Sequence, residues 1–269
     1  MPSANPTAEG PIASPRPGDT YVQSFARGLQ VIRSFSAHSP QQTLSEVAQR
    51  TGLTRAGARR ILLTLEGLGY VRCRGRQFSL APRILDLGFA YLSSLPLWNL
   101  AEPVMERLVE TVKESCSAAV LDGAEIVCVL RVPTHKIMSI NLGIGSRLPA
   151  HCTSMGRTLL ADLDPGVLDA LLREHPPTRQ TDRTITDVPA LKAELAGVRR
   201  QGWCVVNQEL EEGLVSLSAP IRDRAGHVIA AMNVSGQVNR TSPSCMLEHF
   251  LPKLRAAADE ISQMLQHKP

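Results

Sequence analysis

The sequence predicts an α+β protein with two domains joined by a helix, and three observations lead to this prediction. Residues 43–80 contain two amphipathic helical patterns around a tight turn, followed by a short hairpin pattern. Residues 82–95 then form an almost entirely apolar helical segment. From residue 98 onward, strand patterns and helix patterns alternate, which is typical of an antiparallel sheet flanked by helices.

Length and composition agree with this organisation. A chain of 269 residues has room for two ordinary domains, and 43% hydrophobic residues suffice for packed cores. No run of eighteen apolar residues occurs, so no membrane-spanning helix is expected. Residues 1–20 contain five prolines and no apolar stretch typical of a signal peptide, which predicts a disordered tail on a cytoplasmic protein. The predicted segments are 1–20 for the tail, 21–81 for the first domain, 82–96 for a linker helix and 97–269 for the second domain.

The first domain should begin with a helix over residues 21–36. Phe25, Leu29, Ile32 and Phe35 recur at helical spacing and fall on one face of that helix. We expect this face to form one wall of the domain core.

Residues 44–68 predict two further helices joined by a turn. Ser45 is the expected cap of the first helix, Gly52 supplies the positive φ of the turn, and Thr54 is the expected cap of the second helix. Apolar residues of the first helix face one way: Leu44, Val47 and Ala48. The second helix has one stripe at helical spacing, which predicts a buried face: Ala58, Ile61, Leu62, Leu65 and Leu68.

A hairpin over residues 70–74 and 77–80 should follow, and arginines surround it. Seven arginines and a single acid lie between Arg50 and Arg76. Residues 21–80 carry a net charge of +7 while the whole chain carries +4, so the basic charge is local. A localised basic helix–turn–helix with a hairpin is typical of contact with DNA phosphates and the major groove. The sequence therefore predicts a winged helix–turn–helix that binds double-stranded DNA through these candidates: Arg50, Thr54, Arg55, Arg59, Arg60, Arg74 and Arg76.

The segment over residues 82–95 is apolar on nearly every side. A helix of this kind is usually buried against a partner. We expect it to be a linker that contributes to dimerisation, with packing on its own domain alone as the alternative.

The second domain should contain six strands. Asp122-Gly123 is a hairpin turn signal, and Asp164-Pro165 is a typical cap and first residue of a helix. The predicted strands are 117–121, 126–132, 136–142, 203–207, 214–222 and 227–235. The predicted helices are 98–113, 154–163, one beginning at 165, 189–201 and 245–266.

Catalytic and metal-binding motifs are missing from the sequence. It contains no GxSxG or HExxH pattern, and the acidic residues of segment 209–212 lie in a loop-like stretch. The six cysteines form no CxxC pair, so buried reduced thiols are expected rather than a metal site. We therefore predict a protein that is not an enzyme, with no catalytic residue, no metal and no cofactor. A redox sensor using Cys152 or Cys204 is the remaining thiol-based alternative.

The order of winged helix–turn–helix, linker helix and α+β domain resembles the IclR family of bacterial transcriptional regulators. The resemblance covers residues 21–266 and is carried most specifically by segment 202–223, GWCVVNQELEEGLVSLSAPIRD, with Glu209, Gly213 and Pro220 in the family's places. Val206 and Arg222 depart from the family pattern. Segments 148–163 and 208–214 look most like the subgroup that regulates aromatic-acid breakdown through the β-ketoadipate pathway, which includes protocatechuate and 4-hydroxybenzoate regulators.

The resemblance implies a GAF-like effector domain and a homodimer or tetramer bound to palindromic promoter DNA, with RNA polymerase as a further candidate partner. It implies an effector site lined by these residues: Ser154, Met155, Val206, Ser216, Asn233 and Ser235. The expected effector is a small carboxylate, either an aromatic acid or a ketoadipate-like acid. Because Val206 makes that site less polar than in members that bind small oxo-acids, a flat aromatic ligand is favoured and an oxo-acid is the alternative.

Residue chemistry adds candidates for binding a carboxylate. A helix beginning near Ser154 would direct free N–H groups toward an anion. Arg147, His151 and Arg131 are candidates to complete such a site, since arginine can bind a carboxylate with two hydrogen bonds. The alternative is that Ser154 only caps its helix and that the arginines are surface charges.

Overall fold

A computed structural model of the chain describes residues 21–94, 97–134 and 142–266. The predicted tail and most of the strand predicted over residues 136–142 lie outside these ranges. The chain divides into two compact units, and the boundary falls between Tyr91 and Leu92. This boundary lies within the segment predicted as the linker helix.

The first unit contains three helices, a small sheet and the beginning of a fourth helix. Its elements are α1 (Gln23–Arg33), β1 (Gln41–Thr43), α2 (Leu44–Thr51), α3 (Arg55–Gly67), β2 (Val71–Arg74), β3 (Gln77–Leu80), a 3-10 turn (Pro82–Ile84) and α4 (Leu85–Ser94), which continues across the boundary. The sheet is antiparallel in the order β1-β3-β2. Strand β1 was not expected from the sequence.

The helix–turn–helix forms through local capping and a glycine turn. Gly52 adopts φ +64° and ends α2, and the Thr54 side chain accepts a hydrogen bond from the Gly57 N–H at the start of α3, as predicted. The cap of α2 is Thr43, so the prediction of Ser45 is wrong. Thr43 and Glu46 exchange hydrogen bonds in a capping box, which satisfies two backbone N–H groups at once.

The core of the first unit is smaller than the apolar pattern of α1 suggested. Val31 and Phe35 are buried, whereas Phe25 and Leu29 are 67% and 42% exposed, so the predicted inward face of α1 is wrong for its first half. Leu68 caps the end of α3 and is also exposed, in contrast to the expectation. The remaining core comes mainly from α2, α3 and the sheet: Val47, Ala48, Ala58, Leu62, Leu65, Val71 and Phe78.

The second unit is an antiparallel six-stranded sheet with helices on both faces. Its elements are α5 (Leu97–Val112), β4 (Ser115–Asp122), β5 (Glu125–Val132), β6 (Arg147–Pro149), a 3-10 turn (Ala150–Cys152), α6 (Ser154–Leu160), α7 (Pro165–Glu174), α8 (Val188–Gln201), β7 (Cys204–Asn207), β8 (Leu214–Arg222), β9 (Val228–Gln237), α9 (Pro243–Cys245), a π-helical turn (Met246–Phe250) and α10 (Leu251–Gln266). The strand order is β6-β5-β4-β9-β8-β7. The α+β class with an antiparallel sheet is therefore confirmed.

Two apolar cores lie on opposite faces of this sheet. One joins α5 and α10 to the sheet, and Met105, Leu217 and Ile261 are fully buried there. The other joins α6, α7 and α8 to the opposite face, around Met155 and Leu191. No helix among the described residues is long and apolar enough to span a membrane.

Candidate nucleic-acid interface and ligand cleft

The first unit presents a basic surface on α3 and on the β2–β3 hairpin. Arg55, Arg59 and Arg60 occupy the N-terminal half of α3 and are all exposed. Ala58 and Leu62 hold the opposite face of α3 in the core. The fixed helix therefore projects its three arginines outward.

The hairpin adds cations beside the helix. Arg74 and Arg76 flank Gly75, whose φ of +64° makes the tight turn between β2 and β3. Arg50 is exposed near the end of α2. Within the described ranges, none of the six predicted DNA-contact arginines forms an ion pair, so their charges are available to phosphate groups.

The second unit contains a cleft of about 520 Å³, including its open mouth, on the α6 face of the sheet. Six residues predicted for the effector site line it together: Ser154, Met155, Val206, Ser216, Asn233 and Ser235. Its apolar wall also includes residues that the sequence did not indicate: Leu142, Leu148, Leu210 and Leu214.

Neighbouring strands align a row of polar side chains along the cleft. Arg131 lies opposite Ser117, and Ser117 lies opposite Asn233 in the sheet register. The Arg131 guanidinium donates to the Ser117 hydroxyl at 3.3 Å, and the Asn233 side chain accepts from the Ser117 N–H at 3.2 Å and donates to the Ser235 hydroxyl at 2.8 Å. This chain of hydrogen bonds fixes the orientation of the Asn233 side chain.

Two cleft hydroxyls lack a hydrogen-bond partner within the described part of the chain. The Ser154 Oγ is fully buried at the start of α6 and has no partner there. The Ser216 side chain is 7% exposed and likewise makes no side-chain hydrogen bond to a described residue. Because a buried hydroxyl normally has a partner, the Ser154 hydroxyl is suited to bind a polar atom of a ligand, and the unbonded Ser216 hydroxyl of the cleft lining can do the same.

Arg147 and His151 do not line the cleft, in contrast to the expectation. The Arg147 guanidinium donates to carboxylates of Asp122 and Glu125, at 2.7 Å each, so surface acids already occupy it. His151 Nε2 lies 2.9 Å from the Thr178 carbonyl oxygen and therefore carries the ring proton. Burial lowers the pKa of His151, so the ring is neutral at pH 7 and offers no cation to a carboxylate.

Comparison with known proteins agrees with both units. Residues 24–75 match the IclR helix-turn-helix domain, and residues 89–263 match the C-terminal domain of the bacterial transcriptional regulator IclR. The chain belongs to the IclR family. The winged helix–turn–helix therefore marks a DNA-binding transcriptional regulator, and the expectation that the protein is not an enzyme agrees with this membership.

Among relatives of this IclR-type regulator, the Pca regulon regulatory protein of Pseudomonas putida is 43% identical over 246 residues, which cover 91% of this chain and 84% of that protein. The p-hydroxybenzoate hydroxylase transcriptional activator of Acinetobacter baylyi is 33% identical over 252 residues, which cover 92% of this chain and 93% of that protein. A crystal structure of an IclR homologue from Microbacterium hydrocarbonoxydans complexed with 4-hydroxybenzoate is 29% identical, with a TM-score of 0.81 over 91% of this chain and all of the other. These relatives agree with the subgroup predicted from segments 148–163 and 208–214.

The two thiols considered for redox sensing, Cys152 and Cys204, are both buried in this IclR-type regulator. Burial raises the pKa of Cys152 to about 12 and that of Cys204 to about 12, so both remain protonated at neutral pH. Thiolate is the reactive form of cysteine, so these two residues should react slowly with oxidants. Within the ranges that the structure describes, no cluster of histidine, cysteine and acidic side chains could hold a metal ion.

Proposed function

We propose that this regulator binds an aromatic carboxylic acid in the cleft of its second unit, and that the bound acid changes its affinity for operator DNA controlling aromatic-acid catabolism. The observation that carries this proposal is the lining of the cleft. Arg131 is the only charged residue that lines it in the described part of the chain, and leucine, methionine and valine side chains form an apolar wall beside the row of polar side chains. One cation, a few neutral polar groups and an apolar wall suit a flat acid better than a small oxo-acid.

The sheet register gives the approximate length of the ligand. The Arg131 guanidinium lies at Ser117 on β4, while Ser216 lies two strands away on β8 and one pleat further along. With about 4.8 Å between strands and about 6.7 Å for two residues, these positions are roughly 12 Å apart. Hydrogen bonds of about 2.8 Å at each end leave roughly 6 Å, which suits a benzene ring with oxygen substituents at opposite ends.

The relatives support the same ligand class. One regulates a Pca regulon, a second activates p-hydroxybenzoate hydroxylase transcription, and a structural homologue holds 4-hydroxybenzoate. The helix start contributes less than the sequence suggested, because α6 has only seven residues. We therefore assign the carboxylate to Arg131 and the opposite oxygen to the hydroxyl of Ser216, with Ser154 as a second polar contact.

The DNA-bound form is proposed to be a homodimer or tetramer. Exposed apolar side chains on α4 support dimerisation through this helix: Leu85, Leu87, Phe89 and Tyr91. In a dimer, two α3 helices would read half-sites about one helical turn apart. Arg55, Arg59 and Arg60 would contact bases and phosphates, and Arg50 and Thr54 would contact phosphates. The arginines of the hairpin would reach the backbone or the minor groove. RNA polymerase is a further proposed partner at the promoter.

Thermal unfolding with a panel of acids tests the ligand class. The panel contains 4-hydroxybenzoate, protocatechuate, β-ketoadipate, muconate, pyruvate and glyoxylate. A ligand present at about one hundred times its Kd should stabilise the folded state by about 2.7 kcal/mol. We expect a rise in melting temperature with an aromatic acid. A rise with pyruvate or glyoxylate alone would contradict the aromatic assignment but retain a ligand-responsive regulator, and no rise with any acid would refute the proposed effector class.

A further inference from the structure

A buried ion pair lies in the second unit, outside the residues that line the cleft. Arg157 on α6 is 1% exposed, and its guanidinium is paired with the carboxylate of Glu209, which is 8% exposed. The Arg157 Nε also donates to the His151 carbonyl oxygen at 2.7 Å. Charges this deeply buried are costly unless they are paired and hydrogen-bonded, so the geometry of this pair is tightly constrained.

Glu209 connects the pair to two further segments. Its Oε2 atom accepts a hydrogen bond from the Ile185 N–H at 3.0 Å in addition to the one from Arg157. Its backbone carbonyl accepts from the Thr184 hydroxyl at 2.7 Å. The pair therefore joins three stretches of the chain that are distant in sequence: α6, segment 181–185 and the turn 208–214.

The turn 208–214 has an unfavourable backbone conformation at its first residue. Gln208 adopts φ +62°, a value that non-glycine residues rarely take. Its N–H donates to the Leu214 carbonyl at 2.7 Å, and its side chain accepts from the Gly213 N–H at 3.0 Å. A strained backbone conformation persists only where surrounding contacts hold it in place. The carboxylate of the next residue, Glu209, supplies such contacts through Arg157 and Ile185.

Two of these three stretches contribute to the cleft wall, α6 through Ser154 and Met155 and the turn 208–214 through Leu210 and Leu214. Through its hydrogen bond to the His151 carbonyl, Arg157 fixes the 3-10 turn that precedes α6, and it lies one helical turn from Ser154. Glu209 directly precedes the cleft residue Leu210 in the turn 208–214. We propose that Arg157 and Glu209 are positioning residues for the effector cleft: their ion pair sets the separation between the start of α6 and the turn 208–214. This inference rests on the proposed function, because it assigns the pair a role in binding the acid.

Glu209→Gln tests the inference with little change in side-chain volume. The amide keeps an oxygen for one donor but loses the charge that pairs with Arg157. We expect the affinity for 4-hydroxybenzoate to fall by about tenfold or more, as for loss of a hydrogen bond between charged groups. Operator affinity without effector should stay within about twofold of the wild-type value, because the DNA-binding surface is in the other unit.

Glu260→Gln is the matched control. It removes the acid from a surface ion pair with Arg107, on the α5–α10 side of the same sheet, and both side chains are about half exposed. Exposed pairs contribute little, so this variant should bind 4-hydroxybenzoate like the wild type. Equal affinities in folded Glu209→Gln, Glu260→Gln and wild-type proteins would overturn the inference.

A second variant separates positioning from stability. Arg157→Met combined with Glu209→Leu replaces the pair with apolar side chains, which often preserves or raises stability. We expect this protein to melt near the wild-type temperature and still bind 4-hydroxybenzoate weakly. Wild-type affinity in the folded double variant would overturn the inference, because the ion pair would then be dispensable for the cleft.

Amide hydrogen exchange gives a readout that does not require an effector. In either variant, the N–H groups of Ile185 and Gln208 should exchange faster than in the wild type while the sheet amides keep their protection. Unchanged exchange at both amides would overturn the positioning role. If the wild type binds no acid of the panel, the proposed function fails, and the exchange result still decides whether the pair holds the turn.

Discussion

Replacing Arg131 with methionine should weaken binding of an aromatic acid while leaving the sheet intact. Arg131 is partly buried, lines the cleft and makes a single side-chain hydrogen bond within the described ranges, to the Ser117 hydroxyl at 3.3 Å. Methionine keeps most of the apolar stem and removes the charge. A hydrogen bond between charged groups contributes about 1.5–3 kcal/mol, so the Kd for 4-hydroxybenzoate should rise roughly tenfold to 150-fold.

The assay is calorimetric titration of the wild type and two arginine variants with 4-hydroxybenzoate and with its neutral amide. Arg147→Met is the matched control, because Arg147 is on neighbouring strand β6 but is bound to Asp122 and Glu125 away from the cleft. The wild type and Arg147→Met should prefer the acid to the amide, whereas Arg131→Met should lose most of that preference. Equal acid affinity in Arg131→Met and the wild type would refute the assignment of the carboxylate to Arg131.

Three further predictions concern DNA contact, packing and pH. Arg59→Ala should weaken operator binding at least several-fold and make the affinity fall less steeply with salt concentration, as measured by fluorescence anisotropy. An unchanged salt dependence in the folded variant would show that Arg59 is not in the interface. Gly156→Ala should lower the melting temperature of the second unit, because the added Cβ would lie 2.2 Å from the Ala150 carbonyl oxygen. Relieving such overpacking costs about 1–3 kcal/mol of stability. A melting temperature equal to that of the wild type would contradict this packing. Burial lowers the pKa of His151 in the folded state below its ordinary value of 6.5, so the unfolded chain binds the extra proton more readily. The contribution of His151 to stability should therefore be full above pH 6.5 and decrease as the pH falls below 6.5. Melting temperatures of the wild type and His151→Gln should differ in how steeply they fall with decreasing pH, and equal slopes would exclude His151 as the source.

Local signals in the sequence were sufficient to predict the helix–turn–helix. Gly52 and Thr54 act through neighbours within four residues, so their roles could be inferred without tertiary structure. The competing caps Thr43 and Ser45 were harder to separate, since the choice depends on the reciprocal hydrogen bonds with Glu46. The exposed side chain of Phe25 shows a different limit, because helical spacing identifies an apolar face without identifying what covers it.

The cleft was predicted where the family pattern applies and missed where the contact is tertiary. Ser154 and Asn233 could be assigned from matching positions, and both line the cleft. Arg147 is close to the cleft residues in sequence, but two carboxylates across a strand pair bind its guanidinium. Arg157 and Glu209 are 52 positions apart in the sequence, so no local sequence pattern could predict their contact.

The most direct test of a ligand-responsive regulator is operator affinity measured with and without saturating 4-hydroxybenzoate. A ligand changes DNA binding only if it has different affinities for the free and DNA-bound forms, and the coupling must be reciprocal. We predict that the acid changes the operator Kd several-fold and that the operator changes the Kd of the acid by the same factor. If the acid binds the free protein but leaves operator affinity unchanged, it is not the signal that controls DNA binding, and the central claim is contradicted.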